Sequence, residues 1–231
     1  MREEICRYYQ VCGNCTQLLK AEQQQQIEHT EALTKLFKPG SFKFVHSPNN
    51  LNYRFRIRLR VNSDGELGYY KRKSHTHVPI STCAIAHPLI NRALKALPPT
   101  PFPAKQIEFR TDGKTVVANV YSSKGNRPTK STLRQWAEGH LDGIGLDGQK
   151  MWGEQFCYIS VGGVQHRVGL GTFYQVNVPV NQRMIEHIVS LVTDQQPTKV
   201  LDLYAGAGNI AFAIANQGIP VTAIEQSASS V

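Results

Sequence analysis

Residues 200–225 read VLDLYAGAGNIAFAIANQGIPVTAIE. An apolar run ends at Tyr204, and a glycine-rich tetrapeptide follows. A stretch rich in Ala and Ile comes next, then a second apolar run closing on Glu225. That succession predicts strand, glycine loop, helix and strand, the opening of an α/β nucleotide-cofactor domain. The upstream segment agrees. Residues 181–192 place Met184, Ile188 and Leu191 on one helical stripe, and 194–197 make a turn before the strand. A domain boundary is therefore expected near Val178.

Gly206-Ala207-Gly208-Asn209-Ile210-Ala211 satisfies G-x-G-x-x-A, and Glu225 lies nineteen residues beyond Gly206. On spacing alone this is also a dinucleotide fingerprint. Charge separates the two readings. In a dinucleotide site the loop and the helix N-terminus face a pyrophosphate, which a nearby carboxylate repels. Here Asp202 stands four residues before Gly206, at the end of the strand. It is placed to accept hydrogen bonds from an ammonium group, such as the methionyl end of S-adenosylmethionine. Glu225 can hold ribose hydroxyls with either cofactor. The reading favours S-adenosylmethionine, bound around Asp202, Gly206, Gly208 and Glu225; a glycine turn without a ligand is the plain alternative.

Upstream, the texture is β-rich from about Phe42 to Val176. Strands are predicted at 53–61, 67–72, 106–110, 116–121, 155–161 and 166–170, with helical pieces near 86–97 and 131–141. Pro98–Pro103 is a rigid loop. The segment after Cys15 predicts an amphipathic helix stopped by Pro39-Gly40. The expected organisation is 1–40, a cysteine loop and helix; 41–178, a central β-rich region; and 179–231, the first part of the cofactor domain. In fold class this is an α+β region followed by the start of a Rossmann-like α/β domain.

The chain carries 26 Lys+Arg against 17 Asp+Glu, a net charge of +9. Such a balance points to polyanionic partners. No apolar run approaches the roughly eighteen residues a bilayer span needs, and the N-terminus lacks a signal-peptide core. A cytoplasmic protein with no membrane and no obligate protein partner is expected. Between Ser41 and Cys83 there are eight Lys/Arg and two acids. YRFRIRLRV, residues 53–61, alternates strictly, with Arg54, Arg56, Arg58 and Arg60 on one face and Tyr53, Phe55, Ile57, Leu59 and Val61 on the other. LGYYKRK pairs with it across Ser63-Asp64-Gly65 and adds Lys71, Arg72 and Lys73. A solvated charged face normally mixes signs, and this hairpin has only Asp64 and Glu66, so phosphate contacts are the better reading.

Four of the five cysteines are Cys6, Cys12, Cys15 and Cys83. Three thiolates on one short loop plus a remote fourth suit a [4Fe–4S] cluster better than two-pair zinc, although zinc stays open. Cys157, in the apolar run FCYIS, is read as core.

Together these residues resemble the RNA uracil-5-methyltransferases, which make 5-methyluridine in ribosomal and transfer RNA. The resemblance rests on C-x5-C-G-N-C, on LGYYKRKSH followed by Cys83, and on FYQVN (173–177) joined to DLYAGAGN (202–209). It implies that Gln175, Tyr204, Asn209 and Glu225 contact S-adenosylmethionine and that Cys6, Cys12, Cys15 and Cys83 ligate a [4Fe–4S] cluster. Cluster-bearing members mostly act on large-subunit rRNA, so 23S rRNA is the implied substrate. The family's reaction adds a cysteine thiolate to uracil C6, methylates C5 and removes the C5 proton with a carboxylate. In relatives that nucleophile and base lie well downstream of the glycine loop, and here both are expected beyond Val231. No catalytic residue is therefore assigned within the chain, and the 231 residues alone are expected to be inactive. Asn14 replaces a glycine of the family pattern, and the small β-barrel that opens many relatives is not seen. An iron–sulfur or zinc RNA-binding module without catalysis is the alternative. A nucleotide-dependent oxidoreductase is disfavoured by Asp202 and the basic hairpin.

Overall fold

The computed structural model describes residues 5–37, 42–123 and 125–227. Its centre is a seven-stranded sheet of order β3-β2-β1-β4-β5-β6-β7. The strands are β1 (Arg56–Val61), β2 (Leu67–Tyr70), β3 (His77–Pro79), β4 (Ala104–Thr111), β5 (Val116–Ser122), β6 (Gly143–Leu146) and β7 (Gln149–Gly153). All neighbours are antiparallel except β5 and β6, whose parallel pairing spans a helical crossover. The basic strand pairs with LGYY as expected, Arg60 opposite Gly68 and Val61 opposite Leu67.

One face of this sheet is the core. Alternation puts Ile57 and Leu59 opposite Phe109 and Ile107, these opposite Ala118 and Val120, and those opposite Ile144 and Leu146. Helices α2 (Pro88–Ala96) and α3 (Lys130–Ala137) cover that face with Ile90, Ala93 and Leu94, and with Leu133, Trp136 and Ala137. His87 and Thr129 cap their N-termini by accepting from Leu89 N and Thr132 N. The opposite face carries Arg56, Arg58 and Arg60, then Gln106, Glu108 and Arg110, then Asn119 and Tyr121.

The predicted strand 53–61 begins only at Arg56. The preceding residues hydrogen-bond elsewhere, Arg54 N to Ile85 O and Phe55 N to Val176 O. β3, β6 and β7 were not predicted. β3 has three residues, and GIGL and QKMWG carry glycines that weaken a strand signal. Helix α1 (Glu22–Leu36) starts later than the segment predicted after Cys15 and buries no residue, meeting 42–50 only through surface contacts such as His29 with Phe44 and Glu22 with His46; its expected stop at Pro39-Gly40 lies outside the described residues.

A second, smaller core follows. β8 (Phe156–Val161) and β9 (Val164–Gly169) make an antiparallel hairpin. It packs against α4 (Val178–Asp194) and α5 (Ala211–Ala215) through Ile159, Val161, Val168, Tyr174, Ile185 and Ala213. At the hairpin turn, a Cβ on Gly162 would lie 2.7 Å from Ile185 and 2.8 Å from Ala213, and its φ is +62°. Glycine lets the turn sit on both helices. The hairpin thus falls on the far side of the boundary expected near Val178. β10 (Val200–Leu203) and β11 (Val221–Ile224) pair in parallel, completing the predicted strand–loop–helix–strand. Of the segment expected at 179–231, the described residues reach Ser227, and Val231 lies outside them.

Candidate functional site

Asp202 and Glu225 stand at the carboxyl ends of two adjacent parallel strands, with the glycine loop beside them. This is the crevice where open α/β sheets take ligands. Tyr204 turns the chain out of β10 at φ +61° and is 90% exposed. A non-glycine residue in that region signals a backbone held by its surroundings. Gly206 and Gly208 also lie at positive φ. Asp202 Oδ2 accepts from Ala211 N at 3.1 Å, tying the strand end to the start of α5. Glu225 accepts from Gly206 N at 2.8 Å and from Ser227 N at 2.7 Å. The Ser227 amide, then that of Gly206, hold its carboxyl below the usual range. Gln175 is exposed. The nucleophilic cysteine and the general base are expected beyond Val231, outside the described residues.

Asn209 departs from expectation. Its Oδ1 accepts from Tyr174 OH (3.0 Å) and Asn181 Nδ2 (2.9 Å), and its Nδ2 donates to Asn181 Oδ1 (2.8 Å). Asn181 is 2% exposed on α4. The Asn209 side chain therefore ties the loop to Tyr174 and to Asn181 of α4. His166 is buried beneath the same loop, its ring 5.5 Å from that of Tyr174 and 6.0 Å from that of Phe212.

The segment 173–177 links this loop to the sheet. Phe55 N donates to Val176 O, and Arg54 bridges Asn177 in antiparallel fashion. Asn177 then caps α4 by accepting from Val180 N at 3.1 Å. Arg110, 3% exposed, donates to Gly169 O and Thr172 O. Arg56 lies 5.2 Å from the ring centroid of Phe173. The basic strand and the cofactor motif thus share hydrogen bonds and one cation–π contact.

The basic face is a correction to the expected row of four free guanidiniums. Glu108 of β4, 2% exposed, lies among them. Arg58 donates through Nε (3.1 Å) and Nη2 (2.6 Å) to Glu108 Oε2, Arg110 donates to Oε1 (3.0 Å), and Arg56 Nη1 sits 3.7 Å from Oε2. Burial lowers the pKa of Arg56, with Glu108 opposing. Arg54 faces the cysteines instead, because its backbone leaves β1. Arg60 lies over Tyr70 at 5.5 Å, and Lys71, Arg72 and Lys73 are exposed. The alternation of QIEFR, which puts Gln106, Glu108 and Arg110 on one side, carried the missed signal. Glu108 sits opposite Arg58 in register, an acid supplied by the next strand rather than by the hairpin.

Cys6, Cys12, Cys15 and Cys83 line one small cavity with Asn14, Leu18, Tyr69 and Ile80. Gly13 N donates to Tyr70 O at 3.0 Å, pinning the cysteine loop to β2. A Cβ on Gly13 would lie 2.5 Å from Arg72 N, so only glycine allows that approach. Asn91 clamps Cys83, accepting from its N at 2.8 Å and donating to its O at 3.0 Å. Tyr69 OH and Asn14 Nδ2 are buried at this cavity without hydrogen-bond partners. Burial, then the neighbouring Cys83 and Cys12, push the Cys15 thiol up to about 11; burial also raises Cys12 and Cys83. Among the described residues, no three His, Cys, Asp or Glu side chains close on a single metal ion. Cys157 packs with Val117 and Leu170 at 0% exposure, its thiol pushed up to about 12 by burial and then Asp112. That is a core thiol, as expected.

Residues 157–231 match the family model described as tRNA (Uracil-5-)-methyltransferase. The 23S rRNA (uracil(1939)-C(5))-methyltransferase RlmD of Dichelobacter nodosus is 27% identical over 242 residues, covering 95% of this chain and 56% of that protein. The corresponding protein of Halomonas elongata is 28% identical, covering 98% and 53%. The chain spans about half the length of the curated relatives it matches. The crystal structure of Pyrococcus abyssi tRNA (uracil-54, C5)-methyltransferase in complex with S-adenosyl-L-homocysteine shares the fold, with a TM-score of 0.70 at 19% identity over 91% of this chain and 58% of that one. No helix among the described residues is long and apolar enough to cross a membrane. Residues 157–231 thus match a uracil-5-methyltransferase family model, and nearly the whole chain is similar to RNA uracil-C5 methyltransferases.

Proposed function

We propose that this chain supplies the cofactor-loop and RNA-binding part of an S-adenosylmethionine-dependent methyltransferase acting on uracil C5 in RNA, with 23S rRNA as substrate. The observation that carries the reading is the junction at 173–177. There the segment leading to the cofactor loop is hydrogen-bonded to the start of the basic strand. A base presented by RNA on one side meets a cofactor held on the other, which is proximity built into the fold. Bound S-adenosylmethionine supplies the electrophilic methyl group. Asp202, with Gln175 and the backbone of Tyr204–Gly208, orients its amino-acid end; Glu225 takes the ribose hydroxyls; Asn209, through Asn181, fixes the loop. The exposed Lys71, Arg72 and Lys73 hold phosphates.

Cys6, Cys12, Cys15 and Cys83 would be the ligands of a [4Fe–4S] cluster, with zinc as the alternative. A zinc tetrahedron with Zn–S of about 2.3 Å needs its sulfurs nearly in contact. These thiols instead surround a cavity into which two unpartnered donors, Tyr69 OH and Asn14 Nδ2, are buried. Cluster sulfides accept such hydrogen bonds. There the group ties the N-terminal loop to β2 and to the Cys83 segment.

Photocrosslinking with labelled S-adenosylmethionine and with labelled NAD tests the reading. Label from S-adenosylmethionine alone is expected, blocked by excess S-adenosylhomocysteine and lost in Asp202→Ala. Label from NAD alone would favour an oxidoreductase instead.

A further inference from the structure

Arg58 has little left with which to grip a phosphate. Three of the five N–H donors of a guanidinium are taken, two by Glu108 Oε2 and one by Tyr121 OH at 3.0 Å. These bonds hold its plane against the Tyr121 ring, 4.7 Å from the centroid, while 43% of the side chain stays exposed. The open part of Arg58 therefore lies beside an aromatic ring, with few donors free. Arg60, next along the same side of β1, lies 5.5 Å from the ring centroid of Tyr70, which is itself 37% exposed. His75 and His77 stand edge-on to Tyr70 at 5.6 and 6.3 Å. Gln106, opposite Arg60 on β4 and Tyr121 on β5, puts a carboxamide between the two stacks.

We propose that this open sheet face is a base-stacking platform for single-stranded RNA, in which the pairs Arg58–Tyr121 and Arg60–Tyr70 each receive a base. It rests on the RNA reading above and replaces phosphate contact by stacking at Arg58 and Arg60. Arginines two residues apart on a strand are about 6.6–6.8 Å apart. That is twice the rise of roughly 3.4 Å per nucleotide of a stacked strand, so the pairs match alternate stacked bases or successive splayed ones. Guanidinium planes and aromatic rings are the surfaces on which unpaired RNA bases stack. The exposed Lys71, Arg72 and Lys73 beside Tyr70 supply the positive charge that keeps the backbone there. A duplex hides the base faces that these pairs fit.

The test compares binding of the whole chain to a short single-stranded RNA and to a strand of equal length carrying abasic sites, with Arg58→Lys, Tyr121→Phe and Tyr121→Ala measured alongside. Abasic RNA is expected to bind about tenfold or more weakly. Tyr121→Phe should keep the affinity. Arg58→Lys, which keeps the charge but loses the plane, should weaken binding about as much as Tyr121→Ala while leaving the salt dependence unchanged. Arg58→Lys and the abasic strand decide the matter even if Tyr121→Ala fails to fold. Equal affinity for normal and abasic strands, full retention in Arg58→Lys, or tighter binding of a duplex would overturn the platform and leave the RNA reading standing. No binding of any RNA would overturn both.

Discussion

At Glu108, 2% exposed, one carboxylate answers three arginines, and the same cluster reaches Gly169 and Thr172 through Arg110. Removing one partner from a buried ionic group leaves the others uncompensated, a loss of about 3–5 kcal/mol. Glu108→Ala is expected to lower unfolding stability in urea by that order. Glu138→Ala breaks only the exposed pair with Arg134 on α3 and its flank, and should cost no more than about 0.5 kcal/mol. Equal effects would mean that the Glu108 cluster is solvated. The residue was hidden from sequence reading by distance. Strict alternation from Arg54 to Arg60 announces a charged face, but the acid that neutralises it arrives from a strand fifty residues on. Asn209 was likewise visible as part of a glycine loop. Its inward turn depends on Asn181, which reads only as a polar position within a helix.

At the scale of elements, periodicity served where an element packs on something. Strands β1, β2, β4, β5, β8 and β9 and helices α2, α3 and α4 all fall within predicted segments, give or take their ends, because each carries an apolar face that the core selects. It failed for β3, β6 and β7, which are short or interrupted by glycine and owe their existence to a neighbouring strand. Helix α1 is the opposite case. Its sequence forms a helix, yet Ile27 is 52% and Leu36 77% exposed, and none of its residues is buried. A helix of this length is marginal in water by itself, and α1 adds only exposed contacts, His29 beside Phe44 and Glu22 with His46. Its Lys20–Glu28 ion pair lies in solvent, where screening leaves it little to add. Amides of 22–36 should therefore exchange with deuterium far faster than those of β4 and β5, close to the rate of an open chain. Protection of α1 comparable to β4 would show that something covers it.

On the scale of the whole molecule, two cores of unequal size share one chain. Among the described residues the sheet and its two helices bury twenty-four apolar residues together, whereas the hairpin, α4 and α5 gather six. Leu201, Leu203, Phe212 and Ile224 around β10 and β11 are each more than half exposed. The smaller core has less apolar burial to offset its chain entropy, so it should open first. It also holds His166, 3% exposed, whose pKa burial pushes below the usual value while the nearby Ala207 and Val161 backbone only partly opposes. Because the folded imidazole resists a proton that the unfolded chain accepts below about pH 6.5, stability rises with pH through that window and is lost as pH falls. Both tryptophans, Trp136 and Trp152, belong to the larger core, so their fluorescence reports the sheet alone. In urea, loss of helical signal from α4 is expected to precede the fluorescence change. Acidifying from about pH 7 to about pH 5.5 should weaken the first step through His166, while His87, whose pKa burial also lowers, weakens the sheet in the same direction. His166→Leu should remove the acid response of the first step. Coincident transitions at both pH values would mean that the link through 173–177 and Arg110 makes the two cores a single cooperative unit. An acid response undiminished in His166→Leu would place the sensitive group elsewhere.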